Sequence, residues 1–341
     1  MPEQVVEETR LLQVGYALPT RKIESFMIPQ FINYAKQQNV HFIPIDISQP
    51  LTNQGHFDII IHKLYTHQWN QNLHHFTTTT TNHHPNTTTV IIDPPSAIHR
   101  LHNRITMLQP ISQLAIPQLT TPTQQLVHHP ISSLKLDFSF PVIVKPLLVD
   151  GSSNSHDMSL VFNDEGLTKA LTKGLELEPP PMVVQQFVNH GGVMFKVYVA
   201  GEYVKCVKRS SLPDVLEEMV EKMGLECGGV MKFSQISSGV TTLMAAAAGD
   251  EVVEMPAPEF VVAVAEGLRV ELGLRLFNFD MIRDEKGDGY LVIDINYFPG
   301  YEKLEGFEMV MTEFFLNVKE SENQKKMMTT MVDDESQVLK E

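Results

Sequence analysis

The chain has 341 residues, 43% of them hydrophobic, and a formal net charge of −15 at pH 7. This length predicts roughly two to three folded domains. The acidic balance argues against general nucleic-acid binding, which needs a basic surface. It does not exclude a phosphate-rich small ligand, because such a ligand responds to a local cluster of lysines and not to the charge of the whole protein.

The sequence carries no recognisable signal for secretion or membrane insertion. It contains no apolar run of about 18 residues or more, so no membrane span is expected. The start, MPEQVVEETRLL, has acidic residues where a signal peptide has a basic flank and an apolar block. The cysteines, Cys206 and Cys227, provide no disulfide framework. These features predict a cytosolic (cytoplasmic) protein.

The first part of the chain has the β-α-β pattern of a small α/β domain. Three apolar segments predict strands, at residues 11–18, 41–47 and 57–64. Residues 25–40 predict a helix between the first two, with Pro29 near its first turn or at a kink. Residues 66–90 are rich in threonine and histidine and predict a polar excursion without core material. Adjacent histidines in such a segment, without nearby cysteines, do not predict a metal site.

Strands dominate the middle of the chain. They are predicted at residues 140–146, 159–162 and 182–188. A hairpin is predicted over residues 193–209, with an Ala-Gly connection that suits a tight turn. Residues 210–255 read as loops.

One more helix and a charged tail complete the pattern. The helix is predicted over residues 258–272, with an apolar stripe made by Val261, Val264, Leu268 and Leu272. Gly273 marks its C-terminal exit. From Lys319 onward the chain is highly charged, which predicts a disordered end.

The segments FNFD and VIDINYFPG carry the strongest chemical signal. Both alternate apolar and polar residues, as strands do. In the second, Asp294 and Asn296 share one face, and Ile293 and Ile295 are expected to enter the core. If the two strands pair, Asp280 of the first joins Asp294 and Asn296. Two carboxylates and an amide oxygen suit Mg²⁺ held against phosphates, although any one of the three alone is explained as well by a strand-end turn.

Several basic residues are placed to meet a phosphate-rich ligand. Lys145, in the apolar strand VIVKP, is either a cation that reaches nucleotide phosphates or a lysine that snorkels from a strand end. Lys22 and Lys63 lie at or just after the C-terminal ends of neighbouring α/β strands, where open sheets bind ligands. His156, in the loop DGSSNSH, is either a loop histidine or a donor to an anion. No Walker A motif occurs, so a P-loop enzyme is excluded.

Eight motifs, in order along the chain, together resemble the inositol-tetrakisphosphate 1-kinase family, also called the inositol 1,3,4-trisphosphate 5/6-kinases. They are VGYALPTRK, IIHKL, FPVIVKP, GSSNSHDMSLVFN, QQFVNHGGVMFKVYVAGE, RSSLPDV, LRLFNFDMIRD and VIDINYFPGYE. The resemblance implies an ATP-grasp fold of the α/β class, in which two α+β lobes clamp ATP beside an N-terminal Rossmann-like α/β domain. It divides the chain into an inositol-phosphate-binding domain at residues 1–98, a central lobe at 99–188, a C-terminal lobe with the metal site at 189–320, and a disordered tail at 321–341.

The resemblance also implies roles for individual residues. The ATP contacts are Arg104, Lys145, Gln185, Gln186, Phe187, Val188, Ser211, Ser234 and Ser238. The inositol-phosphate contacts are Lys22, Lys63, His156, Lys196, Asn296 and Gly300. The magnesium ligands are Asp280, Asp294 and Asn296. The catalytic residues are Lys196, His156 and Asp294, although the local pattern around Lys196 is that of a solvent-facing strand lysine.

The expected function is therefore that of a monomeric, ATP- and Mg²⁺-dependent inositol polyphosphate kinase. Its acceptor is the 1-hydroxyl of inositol tetrakisphosphate or the 5- or 6-hydroxyl of inositol 1,3,4-trisphosphate, on the way to inositol hexakisphosphate. Two alternatives remain open. An ATP-grasp carboxylate–amine ligase shares the metal ligands, and a non-catalytic inositol-phosphate-binding regulator shares the cations. Neither nucleic acid nor a membrane is expected as a partner.

Overall fold

The computed structural model describes residues 11–83, 89–128, 135–149, 157–172, 181–233, 253–284 and 289–338. His156, Ser234 and Ser238, three of the predicted site residues, lie outside these ranges. The described strands form three sheets, one of four strands and two of five.

The N-terminal sheet is parallel, as the β-α-β pattern predicts. Its strands are β1 (Leu12–Ala17), β2 (Val40–Pro44), β3 (Ile59–His62) and β4 (Val90–Ile92), in the order β2-β1-β3-β4. The single helix predicted between β1 and β2 is in fact two, α1 (Thr20–Phe26) and α2 (Pro29–Gln37). Pro29 begins the second helix because its missing N–H and fixed φ are tolerated in a first turn.

The polar excursion predicted at residues 66–90 is largely a helix, α3 (His67–His83), so this prediction was wrong. Trp69, Leu73 and Phe76 are buried on one side of it and pack into the core of the N-terminal sheet. Their i, i+4, i+7 spacing is that of a helix face, which the surrounding threonines and histidines obscure in the sequence.

Two short helices lead into the remaining sheets. They are α4 (Pro95–His99) and α5 (Gln109–Gln113). The central sheet has the order β12-β8-β7-β9-β6, from β6 (Gln124–Val127), β7 (Val142–Pro146), β8 (Ser159–Val161), β9 (Met182–Gln186) and β12 (Val230–Lys232). Helix α6 (Asp164–Leu171) follows β8, and α7 (Glu217–Glu226) precedes β12.

The C-terminal sheet has the order β11-β10-β13-β14-β5. Its strands are β5 (Leu119–Thr120), β10 (Val193–Ala200), β11 (Tyr203–Ser210), β13 (Leu276–Arg283) and β14 (Tyr290–Tyr297). The predicted hairpin is confirmed in β10 and β11, which turn at Gly201, where φ is +61°. Such a backbone conformation favours glycine because it has no Cβ.

Residues 210–255 are not all loops. Helix α7 and strand β12 lie within this range, and β12 pairs with β8 across the predicted boundary at 188/189. Likewise β5, which precedes the central sheet in sequence, pairs with β14 in the C-terminal sheet. The two sheets therefore exchange strands, and such non-local pairings leave no signal in a local sequence pattern.

Of the predictions for the C-terminal part of the chain, the helix is confirmed and the disordered tail is not. Helix α8 (Pro258–Leu272) is confirmed, with its predicted stripe buried and Gly273 in the left-handed conformation at its end. The tail predicted as disordered continues as part of helix α9 (Phe307–Val338). Its glutamate, glutamine, lysine and methionine residues have good helix propensity, so a highly charged segment of this composition can still form a helix. Glu322 in this segment lies 3.4 Å from Arg275, which ties it to the start of β13.

Asp93 and Tyr297 connect the N-terminal sheet to the C-terminal sheet. The hydroxyl of Tyr297 accepts a hydrogen bond from the Asp93 N–H (2.8 Å) and donates one to the His62 carbonyl (3.0 Å). The Asp93 carboxylate accepts from the N–H groups of Arg275 (2.9 Å) and Leu276 (3.0 Å). The ends of β3 and β4 are thereby fixed against β13 and β14.

Candidate active site

The predicted ATP-binding and metal-binding residues meet around one cavity of about 760 Å³. Residues of both five-stranded sheets line it. Among the predicted site residues these are Arg104, Lys145, Gln185, Gln186, Phe187, Val188, Ser211, Asp280, Asp294 and Asn296. A cavity of this size is large enough for a nucleotide.

Lys145 and Arg104 are the buried cations of this cavity, each 5% exposed. Lys145 is therefore not a snorkelling lysine. Burial, reinforced by the charge of Arg104, lowers its pKa to about 8. Arg104 donates a hydrogen bond to the Pro146 carbonyl (3.0 Å), and its Nη1 lies 3.4 Å from Oδ1 of Asp294. Two buried cations close to each other form a site suited to phosphates.

A β-bulge shapes the acidic wall. Asp280 pairs with Asp294 across β13 and β14, whereas Met281 pairs with Val292, so Ile293 is the extra residue. Ile293 was expected in the core, but the bulge turns it to the cavity lining. Ile295 is buried as expected, and Asp294 and Asn296 face the cavity together.

The acidic pair is held by hydrogen bonds from its own strands and by two cations. Lys196 and Asn278 donate to Oδ1 of Asp280, at 2.5 and 3.1 Å, and the Asn296 amide donates to Oδ2 of Asp294 at 2.8 Å. Burial raises the pKa of Asp280; Lys196 opposes this, and the charge of Asp294 reinforces it. Facing residues of paired strands lie about 5 Å apart at Cβ, so a divalent cation could bridge the two carboxylates.

His190 also lines the cavity. It lies in the segment 185–196, which the family resemblance assigns to the adenine pocket, but no individual role was predicted for it. Its Nδ1 donates to the Val188 carbonyl (2.7 Å), so Nε2 accepts from the hydroxyl of Ser211 (2.8 Å). Burial lowers the pKa of His190, which favours this neutral form. Ser211 is thus left to offer its lone pairs to the cavity. The sequence signal was the segment NHGG, in which both glycines have positive φ.

Lys22 and Lys63 do not line this cavity but meet at the loop that follows β14. Lys22 donates to the Pro299 carbonyl (2.7 Å) and Lys63 to that of Phe298 (3.0 Å). Burial lowers the pKa of Lys22 to about 7 and that of Lys63 to about 8. The predicted substrate residue Gly300 belongs to the same loop. These residues therefore form a second cationic site beyond Asn296.

The comparisons with known proteins decide the family. Residues 13–98 match the inositol 1,3,4-trisphosphate 5/6-kinase pre-ATP-grasp domain, and residues 111–317 match the ATP-grasp domain of the same family. The chain belongs to the inositol 1,3,4-trisphosphate 5/6-kinase family. The predicted family is confirmed, and with it the assignment as an inositol phosphate kinase and not as a ligase.

Plant proteins are among the similar relatives of this kinase. It is 46% identical to inositol-tetrakisphosphate 1-kinase 1 of Zea mays, covering 89% of this chain and 87% of the relative. It is 43% identical to inositol-tetrakisphosphate 1-kinase 5 of Oryza sativa subsp. japonica, covering 90% of each chain. It is 42% identical to inositol-tetrakisphosphate 1-kinase 1 of Arabidopsis thaliana, covering 91% of this chain and 96% of the relative.

Solved structures confirm the ATP-grasp fold. The kinase superposes on D-alanine–D-alanine ligase from Bacillus anthracis complexed with ATP with a TM-score of 0.55, at 14% identity, covering 91% of this chain and 99% of the ligase. At that identity the likeness shows the fold alone. None of the helices in the described ranges is long and apolar enough to cross a membrane.

Proposed function

We propose that this kinase transfers the γ-phosphoryl group of ATP to a hydroxyl of an inositol polyphosphate. Strand β14 carries the proposal. Its residues Asp294 and Asn296 line the nucleotide-sized cavity, and the loop that follows it receives hydrogen bonds from Lys22 and Lys63. One strand thus joins a site for ATP to a cationic site for a second phosphate-rich molecule.

The names of the relatives support the choice of acceptor. We propose the 1-hydroxyl of an inositol tetrakisphosphate and the 5- or 6-hydroxyl of inositol 1,3,4-trisphosphate, as those names imply. Lys22 and Lys63 hold substrate phosphates, and Gly300 allows close approach to the backbone. His156 acts as a further donor to the substrate. It lies outside the described residues, as do Ser234 and Ser238, which we propose as ATP contacts.

The chemistry needs positioning and charge neutralisation and no covalent intermediate. Lys145 and Arg104 neutralise ATP phosphates, and Gln185 to Val188 bind the base. Lys196, which faces Asp280 from the neighbouring strand, contacts a phosphate of the inositol substrate and neutralises charge there. Because these groups are fixed before ATP binds, little reorganisation is needed when charge moves to the leaving oxygen.

We also propose Mg²⁺ as the metal of this site. The donor set fits, because two facing carboxylates and an amide oxygen are hard ligands of the kind that Mg²⁺ prefers. When bound, Mg²⁺ would neutralise charge on the ATP phosphates. The residues that would hold it are Asp280, Asp294 and Asn296.

Asp294→Asn tests the metal proposal. Turnover should fall below about a tenth of the wild-type rate, since each 1.4 kcal/mol or so of lost transition-state stabilisation costs about tenfold. The affinity for Mg²⁺, measured by titration calorimetry in the presence of a non-hydrolysable ATP analogue, should fall as well. Asp137→Asn makes the same charge change at an exposed position and should leave both unchanged. Full activity of Asp294→Asn would contradict the assignment.

The function itself is tested with a panel of inositol phosphates incubated with ATP and Mg²⁺, with product positions read by NMR. A new phosphate on the inositol ring supports the kinase. ATP consumption that requires a carboxylate and an amine, but no inositol phosphate, would support a ligase. Tight inositol-phosphate binding without ATP turnover would support a regulator.

Three organisational features remain proposals. They are the domain boundary at 98/99, a monomeric state and a cytosolic location. The predicted boundaries at 188/189 and 320/321 are not proposed again, because β12 pairs with β8 across the first and helix α9 runs through the second. The acidic composition and lack of long apolar runs support the monomeric state and the cytosolic location. Sedimentation analysis of the purified protein and imaging of a tagged chain test them.

A further inference from the structure

A carboxylate stands inside the cationic site formed by Lys22, Lys63 and the loop after β14. The carboxylate of Glu302 has Oε2 3.9 Å from Nζ of Lys22, too far for a hydrogen bond. That oxygen is buried and receives no hydrogen bond from any described residue. On the other side, a Cβ added to Gly300 would lie 2.7 Å from Oε1 of Glu302. The carboxylate thus fills the space between Lys22 and Gly300.

Glu302 forms an ion pair with Lys22 but accepts no hydrogen bond from it. Lys22 donates instead to the Pro299 carbonyl at 2.7 Å, and its ammonium group lies 4.5 Å from the ring centre of Phe298. Lys63 likewise donates to the Phe298 carbonyl. Both lysines are therefore positioned by the loop backbone. A buried carboxylate oxygen without a hydrogen-bond donor is costly to keep in that state, so Oε2 of Glu302 is available to a ligand.

We propose that Glu302 is a specificity-determining residue that reads an unphosphorylated position of the inositol ring. Its carboxylate accepts a hydrogen bond from a ring hydroxyl and repels a phosphate at the same position. Lys22 and Lys63 bind phosphates of the same ring. The proposal rests on the proposed function, because it assigns the cationic site to the inositol phosphate.

Two effects of Glu302 can be separated by experiment. Its charge favours the protonated form of Lys22 and Lys63, and this effect helps every polyanionic substrate alike. Its repulsion of a phosphate acts only on substrates that are phosphorylated at the position it faces. The ratio of kcat/KM values between two inositol phosphates therefore reports the second effect alone.

The kinetic experiment compares Glu302→Gln with wild type on inositol 1,3,4-trisphosphate and an inositol tetrakisphosphate at saturating ATP. Equilibrium binding is measured for these two compounds and for inositol hexakisphosphate, which has no free hydroxyl and therefore serves only as a ligand. Relative affinity and relative kcat/KM should shift by at least about tenfold toward the compounds with more phosphates, as expected when a close like charge is removed. The KM for ATP should not change.

Two further variants keep the result interpretable. Glu302→Asp retains the charge and should keep the wild-type selectivity, which also shows that substitution here does not simply unfold the loop. Glu305→Gln makes the same charge change at an exposed position nearby and should have no effect. If Glu302→Gln changes all three compounds equally, or none of them, the inference is overturned.

Failure of the proposed function gives a different pattern. If the wild-type protein binds the compounds but phosphorylates none, the kinase proposal fails, and the binding ratios still decide on Glu302. If it binds none of them, both proposals are overturned.

Discussion

Lys196 donates a 2.5 Å hydrogen bond to Oδ1 of Asp280 across the pair formed by β10 and β13. The two residues face each other in the strand register, so this contact is fixed by backbone pairing and not by a flexible side chain alone. A mid-strand lysine that looked solvent-facing in sequence thus lies against a predicted metal ligand. Its side chain is 22% exposed, which leaves room for a ligand.

This contact leads to a prediction for Lys196→Ala. kcat/KM for the inositol phosphate should fall by at least about tenfold, since a charge-assisted contact to phosphate contributes about 1.5–3 kcal/mol. The KM for ATP should change much less. Steady-state kinetics with each substrate varied in turn measure both. Lys205→Ala, on the exposed side of β11, is the matched control. Equal losses for both substrates would assign Lys196 to the transfer of the phosphoryl group instead.

Lys145 predicts a pH dependence of ATP binding. Burial lowers its pKa to about 8 in the free protein, so it is protonated below pH 8 and becomes neutral as the pH rises above it. ATP needs the cation, so binding at higher pH must take up a proton. The affinity, measured calorimetrically between pH 7 and 9.5, should fall by up to about tenfold per pH unit above 8. Lys145→Met should bind ATP weakly at every pH and lack this dependence. A wild-type affinity that is constant over this range would contradict the prediction.

The raised pKa of Asp93 predicts a pH dependence of the folding stability. Burial raises its pKa to about 7, and its Oδ1 receives no hydrogen bond from the described residues. An unfolded aspartate has a pKa of about 3.9, so the unfolded chain releases its proton earlier, and this group lowers stability as the pH rises from about 4 to 7.

Asp93→Asn removes this titration but keeps an oxygen that accepts from the N–H groups of Arg275 and Leu276. Relative to wild type, the variant should therefore be more stable at pH 8 than at pH 5. Urea unfolding at both pH values measures the difference. A constant difference between the two proteins would show that Asp93 is ionised in the folded state throughout.

The length of helix α9 that matters for stability can also be predicted. Lys319 lies 2.6 Å from the buried carboxylate of Asp58, and Glu322 contacts Arg275. Burial opposes ionisation of Asp58, but hydrogen bonds from Gln13 and Lys319 outweigh it and lower its pKa. Removing Lys319 therefore leaves the buried carboxylate without its lysine, although the Gln13 N–H and His56 still contact it.

A chain that ends before Lys319 should lose about 1.5–3 kcal/mol of unfolding free energy, the contribution of a hydrogen bond to a charged group. A chain that keeps residues up to 327 should match wild type in melting temperature and activity. The point substitution Lys319→Ala should reproduce part of the loss, and this part should disappear at low pH, where Asp58 is protonated. Equal stability of the two truncated chains would show that these ion pairs contribute nothing.

Local patterns predicted much of the fold and the site. The apolar runs correctly predicted strands β1, β3 and β7. The alternation of apolar and polar residues, which depends on neighbours two residues apart, correctly predicted that Asp280, Asp294 and Asn296 lie together. The helical stripe of α8 was equally readable, since its buried residues repeat with the helix period.

What the sequence could not predict depends on contacts between distant segments. Ile293 lies at the cavity and not in the core because a bulge shifts the register of β13 and β14. The register depends on both strands, so neither strand's sequence predicts it alone. His190 gained its role from Ser211, which the β10–β11 hairpin brings beside it. Glu302 was missed for the same reason, because its neighbour Lys22 comes from the opposite end of the chain.

The exchange of strands between the two five-stranded sheets constrains how the chain can fold during synthesis. Strand β5 leaves the ribosome long before its partner β14. Strand β8 likewise leaves it before its partner β12. Until those partners emerge, both sheets have an open edge that can pair with other chains. Fragments cut at 188/189 would keep these open edges permanently. Expression of either lobe alone should therefore yield aggregates, whereas co-expression of the two fragments offers the missing strands in trans.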